Sequence, residues 1–337
     1  MSSERSTLVG TPVVIAPGKI FLVGEYAVLE EGAAVLAAVT RHAVAQYVPG
    51  MDAMSAVVAE AVKRARAAIG EEAAALPPGS VLVNTDDFQQ GKLKIGLGSS
   101  AATAVATVGA LFESAGVSVE KNRPQIFTIA DAAHRAAQGG MGSGADVAAA
   151  VHGGLIKVER QPAGPPLVEA LTPPAGLHLV VFWTGQAAST TNMIQGVQKF
   201  ARRDPAAYRQ MIDTLREIAE RFVAELRAGS ATGAVAAAGR YGNRLAMLGA
   251  AASVPIVTDA FTRASELAKE LGGIAKPSGA GGGDIGVAMF ATPETARLFA
   301  RALPKPLAAL DVDLDRVGVR RRSPGEPSDE NSGLFHV

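Results

Sequence analysis

The sequence predicts an α+β protein with two domains, and three observations carry this prediction. The chain has 337 residues, which is enough for two domains that each bury a core. Strand-like and helix-like segments occur together in both halves, which favours two mixed domains over one doubly wound sheet. Five prolines between residues 162 and 174 are typical of a linker, so we place the domain boundary after residue 172.

The first half is expected to begin with strands. Apolar and β-branched residues predict strands over 13–16, 20–23 and 43–48, and Pro17-Gly18 predicts a turn between the first two. The other elements predicted for this half are helices over 51–69, 99–114 and 123–138 and strands over 80–84 and 155–158.

The second half is expected to begin with an apolar strand over 177–183, followed by long helices. Within 207–227, apolar residues recur at spacings of three and four, which predicts one buried helix face. The other predicted elements are helices over 231–248, 257–271 and 293–302 and strands over 285–290 and 316–320. From Ser323 onward the tail is polar and without periodicity, and we expect it to pack poorly.

Composition excludes several classes of function. The chain has no cysteine, which excludes disulfides, thiolate metal sites and a cysteine nucleophile. Its formal net charge is zero, so nothing indicates a nucleic-acid or membrane-surface partner. We see no signal-peptide pattern and no run of about 20 apolar residues. We therefore expect a soluble, cytoplasmic protein.

The segment K-I-G-L-G-S-S-A-A-T, residues 94–103, predicts an anion site. Glycines allow the backbone to turn tightly and approach a ligand, and the first turn of the following helix offers unpaired N–H groups at its positive end. Phosphate is the usual ligand of such a site. No lysine follows the glycines, so this is not a Walker A loop. The alternative interpretation is a tightly packed strand–helix connection.

Two more segments are equally rich in glycine. They read Q-G-G-M-G-S-G-A-D over 138–146 and K-P-S-G-A-G-G-G-D over 276–284. A segment with this much glycine does not belong inside a helix or strand, and it brings backbone close to something else. Three such loops in one chain predict a site where several backbones converge on a phosphate-bearing ligand.

Three segments together resemble the motifs of the GHMP small-molecule kinases. They are A-P-G-K-I-F-L-V-G-E-Y-A-V-L over 16–29, G-L-G-S-S-A-A over 96–102 and S-G-A-G-G-G-D over 278–284, in the order found in that family. The resemblance implies the two-domain GHMP kinase fold, with a nucleotide-binding domain over 1–172, a C-terminal domain over 173–337 and the active site in the cleft between them. It also implies ATP, Mg²⁺ and a small-molecule substrate. We expect a monomer or homodimer.

Several shorter sequence features resemble those of the phosphomevalonate kinases within this family. They are Q-G, G-S-G and D-V-A within 133–154, W-T-G-Q-A-A-S-T-T over 183–191, Lys94 before the second motif and an aspartate closing the third. The resemblance implies phosphorylation of 5-phosphomevalonate to mevalonate 5-diphosphate. A mevalonate kinase is the alternative within the family, although Tyr26 replaces the usual histidine. A non-catalytic binding protein of the same fold is the alternative of another class.

The resemblance also implies roles for individual residues. Lys19 and Asp146 are expected to be catalytic, and Ser100 to bind the metal. The nucleotide phosphates are expected on Gly96, Leu97, Gly98, Ser99, Ser100 and Ala101. The acceptor is expected to contact Tyr26, Lys94, Ser143, Ser189, Gly279, Ala280 and Gly281.

The acceptor changes what Asp146 must do. A phosphate monoester has a second pKa of about 6, so at neutral pH it is already mostly dianionic. A strong general base is then less necessary than for an alcohol. We therefore expect Asp146 mainly to orient Lys19 and the acceptor.

The helix before residue 138 departs from the family pattern. Many members carry a glutamate there as a second Mg²⁺ ligand, whereas this chain has His134 and Arg135, and the nearest acid is Asp131. We expect either that the nucleotide and water provide most of the metal ligands or that a second protein ligand comes from elsewhere in the chain. We interpret His134 as a core histidine and Arg244 as a surface charge.

Overall fold

The computed structural model describes residues 11–323 except 92, 141, 162 and 163. The described strands form a six-stranded sheet, a four-stranded sheet and a two-stranded hairpin, and every pairing is antiparallel. In chain order the strands are β1 Val13–Val23, β2 Ala33–Pro49, β3 Gly79–Asn84, β4 Gln89–Gln90, β5 Leu93–Lys94, β6 Leu155–Glu159, β7 Leu167–Leu171, β8 His178–Trp183, β9 Ile274–Pro277, β10 Ile285–Phe290, β11 Ala308–Ala309 and β12 Arg320–Arg321.

Ten α-helices lie within the described residues. They are α1 Ala56–Ile69, α2 Glu71–Ala74, α3 Ser99–Ser114, α4 Arg123–Ala137, α5 Ala145–His152, α6 Thr190–Arg203, α7 Pro205–Arg227, α8 Ala231–Ala252, α9 Asp259–Glu270 and α10 Pro293–Ala302. Side-chain caps set several of their first residues. The predicted helix over 51–69 begins only at Ala56, for example, because Ser55 Oγ accepts from Val58 N.

The first sheet has the order β12-β1-β2-β6-β7, and β3 also pairs with β2. Its two long strands correct the sequence prediction. β1 runs through Pro17-Gly18, where we predicted a turn, and the ladder to β2 absorbs these two residues as an irregularity in register. β2 joins the predicted strand over 43–48 to the alanine-rich run before it.

Helix α3 lies in the core of the first unit, as its small residues predict. Residues 101–112 of this helix are all buried, and it contacts the strands β1 and β2 and the helices α1, α4 and α5. Small side chains allow a helix to be surrounded in this way. The packing of its buried body therefore fixes where the first turn of α3 lies in the fold.

The second sheet has the order β11-β8-β10-β9. The helices α8, α9 and α10 contact this sheet, and α7 packs along α8. Two further corrections arise here. Strand β7 occupies part of the proline-rich segment predicted as a linker. Helix α5 begins at the last two residues of the second glycine-rich segment and continues to His152, where we predicted no helix. No described helix is long and apolar enough to cross a membrane.

The end of the described chain returns to the first sheet. β12 pairs with β1, with Val14 opposite Arg321, whereas the predicted strand ran over 316–320. Asp315 accepts hydrogen bonds from His42 at 2.7 Å and from Arg320 at 2.9 Å. We propose the division near residue 172 as the main boundary, with this closing segment placed on the first unit. The predicted loosely packed tail lies, beyond Ser323, outside the described residues.

Candidate active site

The three glycine-rich segments meet around Lys19. This side chain extends from β1 and is 7% exposed, and its Nζ lies 3.6 Å from Oδ2 of Asp146. Its backbone N–H donates to the carbonyl of Leu97 at 2.8 Å. Gly98 packs against the same side chain so closely that a Cβ would lie 2.9 Å from Lys19 Cε. The structure therefore brings the predicted catalytic pair to the predicted nucleotide loop.

The nucleotide loop ends in an open helix N-terminus. Gly96 and Gly98 have φ angles of +80° and +83°, which L side chains rarely adopt. Gly98 is the N-cap of α3, and no described side chain caps this end of the helix. The N–H groups of Ser99, Ser100 and Ala101 therefore have no helical acceptor at the positive end of the helix dipole, an arrangement that suits an anion.

Asp146 lies in the first turn of α5, and its side chain is 33% exposed. The turn that places it is tight. Gly144, with φ +78°, has no room for a side chain because a Cβ would lie 2.9 Å from Asp131 Oδ1. Ser143 is buried, and its Oγ accepts from Ala145 N at 3.3 Å. Ser143 therefore supports this turn and has its hydroxyl proton left to donate.

Helix α4 places Asp131 against the turn before Asp146, and Oδ1 of this carboxylate is buried without a hydrogen-bond partner among the described residues. Asp131 pairs with Arg135 at 2.8 Å, and His134 is buried and accepts from the Gln138 amide at 2.9 Å. Burial lowers the pKa of His134, although the carboxylates of Asp146 and Asp131 oppose this. His134 is thus a neutral buried histidine, as we interpreted it. Among the described residues, no cluster of His, Cys, Asp or Glu suits a metal ion without other ligands.

The third glycine-rich segment is attached to the first unit by hydrogen bonds. Ser278 Oγ accepts from Phe21 N at 2.8 Å, and the Tyr26 hydroxyl donates to the Ala280 carbonyl at 2.6 Å. Burial, with help from Glu25, raises the pKa of Tyr26, so the donor stays protonated. Tyr26 was predicted to contact the acceptor, and the structure gives its hydroxyl proton to the loop instead.

The remaining glycines of this segment differ in their surroundings. A Cβ at Gly281 would lie 2.3 Å from the Ile256 carbonyl, whereas a Cβ at Gly279 would meet no described atom within 4 Å. Gly281 is therefore needed for packing. The backbone of Gly279 and Ala280, which are both partly exposed, is the portion open to a ligand.

A buried ion pair lies beneath this segment, and sequence analysis did not find it. Lys276 Nζ contacts Glu25 Oε1, with side chains 1% and 2% exposed, and also donates to the Pro277 carbonyl at 2.8 Å. Tyr241 donates to the Glu25 carbonyl at 2.8 Å. Burial lowers the pKa of Lys276, although Glu25 opposes this. The sequence offered only one sign of this pair, which is that the first motif contains an acidic residue and the third glycine-rich segment begins with a basic one.

Two of the predicted acceptor contacts have exposed side chains. Lys94 is exposed on the hairpin β4–β5, and no described residue pairs with its amino group. Ser189 is exposed and caps α6 by accepting from Asn192 N at 3.3 Å. Arg244 is exposed and donates only to Met247 Sδ at 3.2 Å, which agrees with a surface charge.

Comparison with known proteins gives consistent matches. Residues 56–154 match the GHMP kinases N terminal domain, and residues 223–309 match the GHMP kinases C terminal domain. A phosphomevalonate kinase from Streptomyces sp. (strain CL190) is 30% identical over 82% of this chain and 88% of its own length.

Two solved structures are similar along nearly their whole length. The Lin0012 protein from Listeria innocua has a TM-score of 0.83 and 26% identity, covering 93% of this chain and 99% of its own. Streptococcus pneumoniae phosphomevalonate kinase, in complex with phosphomevalonate and AMPPNP, has a TM-score of 0.77 and 20% identity, covering 90% and 99%. At this lower identity the similarity shows the fold.

Proposed function

Because this chain belongs to the GHMP kinases, and among them to the phosphomevalonate kinases, we propose that it transfers the γ-phosphoryl group of ATP to 5-phosphomevalonate. The products are mevalonate 5-diphosphate and ADP, in the mevalonate route to isoprenoids. The predicted two-domain α+β fold is confirmed. The observation that supports the chemistry best is the Lys19–Asp146 pair beside an uncapped helix N-terminus.

The residues present fit a nucleotide triphosphate. Gly96 and Gly98 carry no side chain beside the uncapped helix N-terminus, and Lys19 brings a positive charge against the loop. Phosphoryl transfer depends on position and on neutralisation of charge more than on covalent help from the protein. Backbone N–H groups from Gly96 to Ala101 are proposed to hold the phosphates, and Lys19 to stabilise the transferred group.

The residues also fit a Mg²⁺ ion that arrives with the nucleotide. Mg²⁺ keeps several waters and takes few protein ligands when phosphates are available. The Ser100 hydroxyl, in the open first turn of α3, is the proposed protein ligand. When bound, the ion would neutralise charge on the phosphates of ATP. Asp131 pairs with Arg135 through Oδ2, and its buried Oδ1, which has no hydrogen-bond partner among the described residues, is the proposed second ligand from α4.

The reaction needs little proton transfer. A phosphate oxygen of the acceptor forms a bond to the γ-phosphorus of ATP, while the bond from that phosphorus to the bridging oxygen breaks and ADP leaves. The acceptor phosphate, with a second pKa of about 6, is mostly deprotonated at neutral pH. Asp146 is therefore proposed to orient Lys19 rather than to remove a proton.

The acceptor carries a phosphate and a carboxylate, which require cations and hydrogen-bond donors. Lys19 and Lys94 supply the cations, and Ser143 and Ser189 supply hydroxyl donors. The open backbone of Gly279 and Ala280 completes the proposed pocket, with Tyr26 and Gly281 fixing that loop. Lys94 has a free amino group among the described residues, as an anion contact requires.

The test is a coupled assay of ADP release with ATP and Mg²⁺, comparing 5-phosphomevalonate with mevalonate at equal concentration. We expect turnover of the phosphorylated acceptor alone. Turnover of mevalonate alone would contradict the acceptor assignment and leave the nucleotide site intact. Turnover of neither, by protein that still binds ATP, would contradict the proposed reaction.

A further inference from the structure

We propose that Asp284 is a positioning residue for the acceptor: its carboxylate fixes the segment 184–189 against the nucleotide loop. The segment defined by residues 184–189 is called the acceptor loop below. This inference rests on the proposed function, because it concerns the acceptor side of the same site. Asp284 closes the third motif, and nothing so far has given it a role.

Asp284 is joined to the acceptor loop through its backbone and its side chain. Its N–H donates to the Gln186 carbonyl at 2.7 Å, and its carbonyl accepts from N and Oγ1 of Thr184, both at 2.9 Å. Its Oδ1 accepts from Ala188 N at 3.0 Å. One residue therefore makes four hydrogen bonds with a loop that lies about a hundred positions earlier in the chain.

The backbone of Asp284 is strained, which indicates that surrounding contacts hold the residue in this conformation. Its φ angle is +57°, in the left-handed region that non-glycine residues seldom occupy. Aspartate and asparagine are the residues that tolerate this region best after glycine. Such strain persists only where surrounding contacts enforce it, and it is common at functional sites. The four hydrogen bonds are those contacts.

The other side of Asp284 lies on the nucleotide loop. A Cβ at Gly96 would be 2.5 Å from Asp284 Cβ and 3.0 Å from its Oδ2. The absence of a side chain at Gly96 therefore serves two purposes, since it lets phosphate approach and makes room for this carboxylate. Asp284 thus contacts the nucleotide loop with one face and the acceptor loop with the other.

The consequence for the acceptor follows from the next residue. Ala188, whose N–H is held by Asp284, immediately precedes Ser189, which caps α6 and is a proposed acceptor contact. A carboxylate beside a bound polyanion repels it, so Asp284 is not itself an anion contact. Burial raises the pKa of Asp284, and the Ala188 N–H and Lys19 oppose this. The Asp284 carboxylate instead holds the acceptor loop in place, so that Ser189 can donate to the acceptor.

Two variants separate the hydrogen bond from the charge. Asp284→Gly removes the carboxylate and suits the left-handed backbone. Asp284→Asn keeps an acceptor oxygen and tolerates the same backbone. We expect Asp284→Gly to raise KM for phosphomevalonate about tenfold, as loss of a hydrogen bond to a charged group predicts. KM for ATP should change less than about twofold, and Asp284→Asn should keep both KM values within about threefold.

Hydrogen exchange gives a readout that does not depend on turnover. The backbone amide of Ala188 should lose protection in Asp284→Gly and keep it in Asp284→Asn. Ser253→Gly is the matched control, because Ser253 is an exposed residue at φ +55° outside the site. It should leave both KM values and the exchange of the acceptor loop unchanged. Thr184→Val, which removes one donor to the Asp284 carbonyl, should give a weaker KM effect of the same kind, and it serves if Asp284→Gly does not fold.

Three results would overturn the proposal. One is an Asp284→Asn variant as impaired as Asp284→Gly, which would make the charge the important feature. Another is a raised Mg²⁺ requirement in both variants, which would make Asp284 a metal ligand. The last is unchanged exchange at Ala188 in Asp284→Gly. Failure of the proposed function is distinguishable, because wild-type protein would then not turn over phosphomevalonate while the exchange result still stood.

Discussion

Lys19 Nζ and Asp146 Oδ2 lie 3.6 Å apart, with the lysine buried and the carboxylate one-third exposed. This separation suits a carboxylate that orients a cation. Asp146→Asn should therefore leave measurable activity. Loss of a general base lowers kcat by at least about 100-fold, and we expect the decrease in this variant to be smaller than that. The pH–rate profile of kcat/KM should show no new acid limb. Complete inactivity of a folded variant would contradict this role.

Lys94 should serve the acceptor rather than the nucleotide. Lys94→Met removes an exposed cation that no described residue pairs with, so it should raise KM for phosphomevalonate by about tenfold or more, in line with a lost charged hydrogen bond. KM for ATP should change little. The control is Lys269→Met, at an exposed lysine on α9. Equal effects on the two substrates would count against the assignment.

Gly96 should not tolerate alanine. Gly91 and Gly96 both have positive φ angles, +61° and +80°, but only Gly96 has neighbours within reach of a Cβ. Gly91→Ala should cost about 1–2 kcal/mol from backbone strain alone. Gly96→Ala should cost more and should also raise KM for ATP. Chemical denaturation and steady-state kinetics measure the two effects, and equal stability losses without a kinetic difference would refute the steric argument.

Breaking the ion pair of Glu25 and Lys276 should destabilise the fold. Lys276→Met leaves the Glu25 carboxylate buried without its partner, which should lower the free energy of unfolding by about 3–5 kcal/mol. Glu25→Gln combined with Lys276→Met should recover part of this loss, because no buried charge then stays unpaired. Urea denaturation measures both variants. A double variant less stable than either single variant would contradict this account.

Asp315 should make stability depend on acid pH. Burial alone would raise the pKa of Asp315, but hydrogen bonds from His42, Gly318 N–H and Arg320 lower it well below its usual range. A folded pKa below the unfolded value of about 3.9 gives stability that is fully present above that unfolded value and is lost as the pH falls from there through the folded pKa.

Removing the carboxylate of Asp315 tests the direction of its pKa shift. Asp315→Asn should reduce stability at neutral pH by about 3 kcal/mol, since it leaves buried donors badly paired. The difference between wild type and variant should narrow as the pH falls below about 4. Denaturation at several pH values measures it. A difference that widens in acid would show that the pKa shift has the opposite sign.

Most of the site could be predicted because its signals are local. Three local patterns indicate backbone that approaches a ligand. They are the motif around Lys19, the glycine loop before α3 and the glycines before Asp146, and the structure brings them together. Helix α3 was predicted with its observed ends because a run of small residues between glycine and a turn leaves few alternatives.

The misses concern partners that are distant in sequence. Pro17-Gly18 carries a local turn signal, but pairing with β2 on both sides of it keeps β1 continuous. Strand β7 forms in a proline-rich segment because β6 provides a neighbour to pair with. Glu25 and Lys276 are 251 positions apart, and no pattern in either motif specifies the other.

The return of β12 to β1 has a consequence for how the protein is made. Val14 lies in the first of the described strands to be synthesised, and Arg321, its ladder partner, is among the last described residues to emerge from the ribosome. The Asp315 cluster, which includes His42, is likewise completed only by late residues. A nascent chain therefore holds the first unit with an open sheet edge at β1 until residues 320 and 321 have emerged, so this unit is completed only after the second unit has been synthesised.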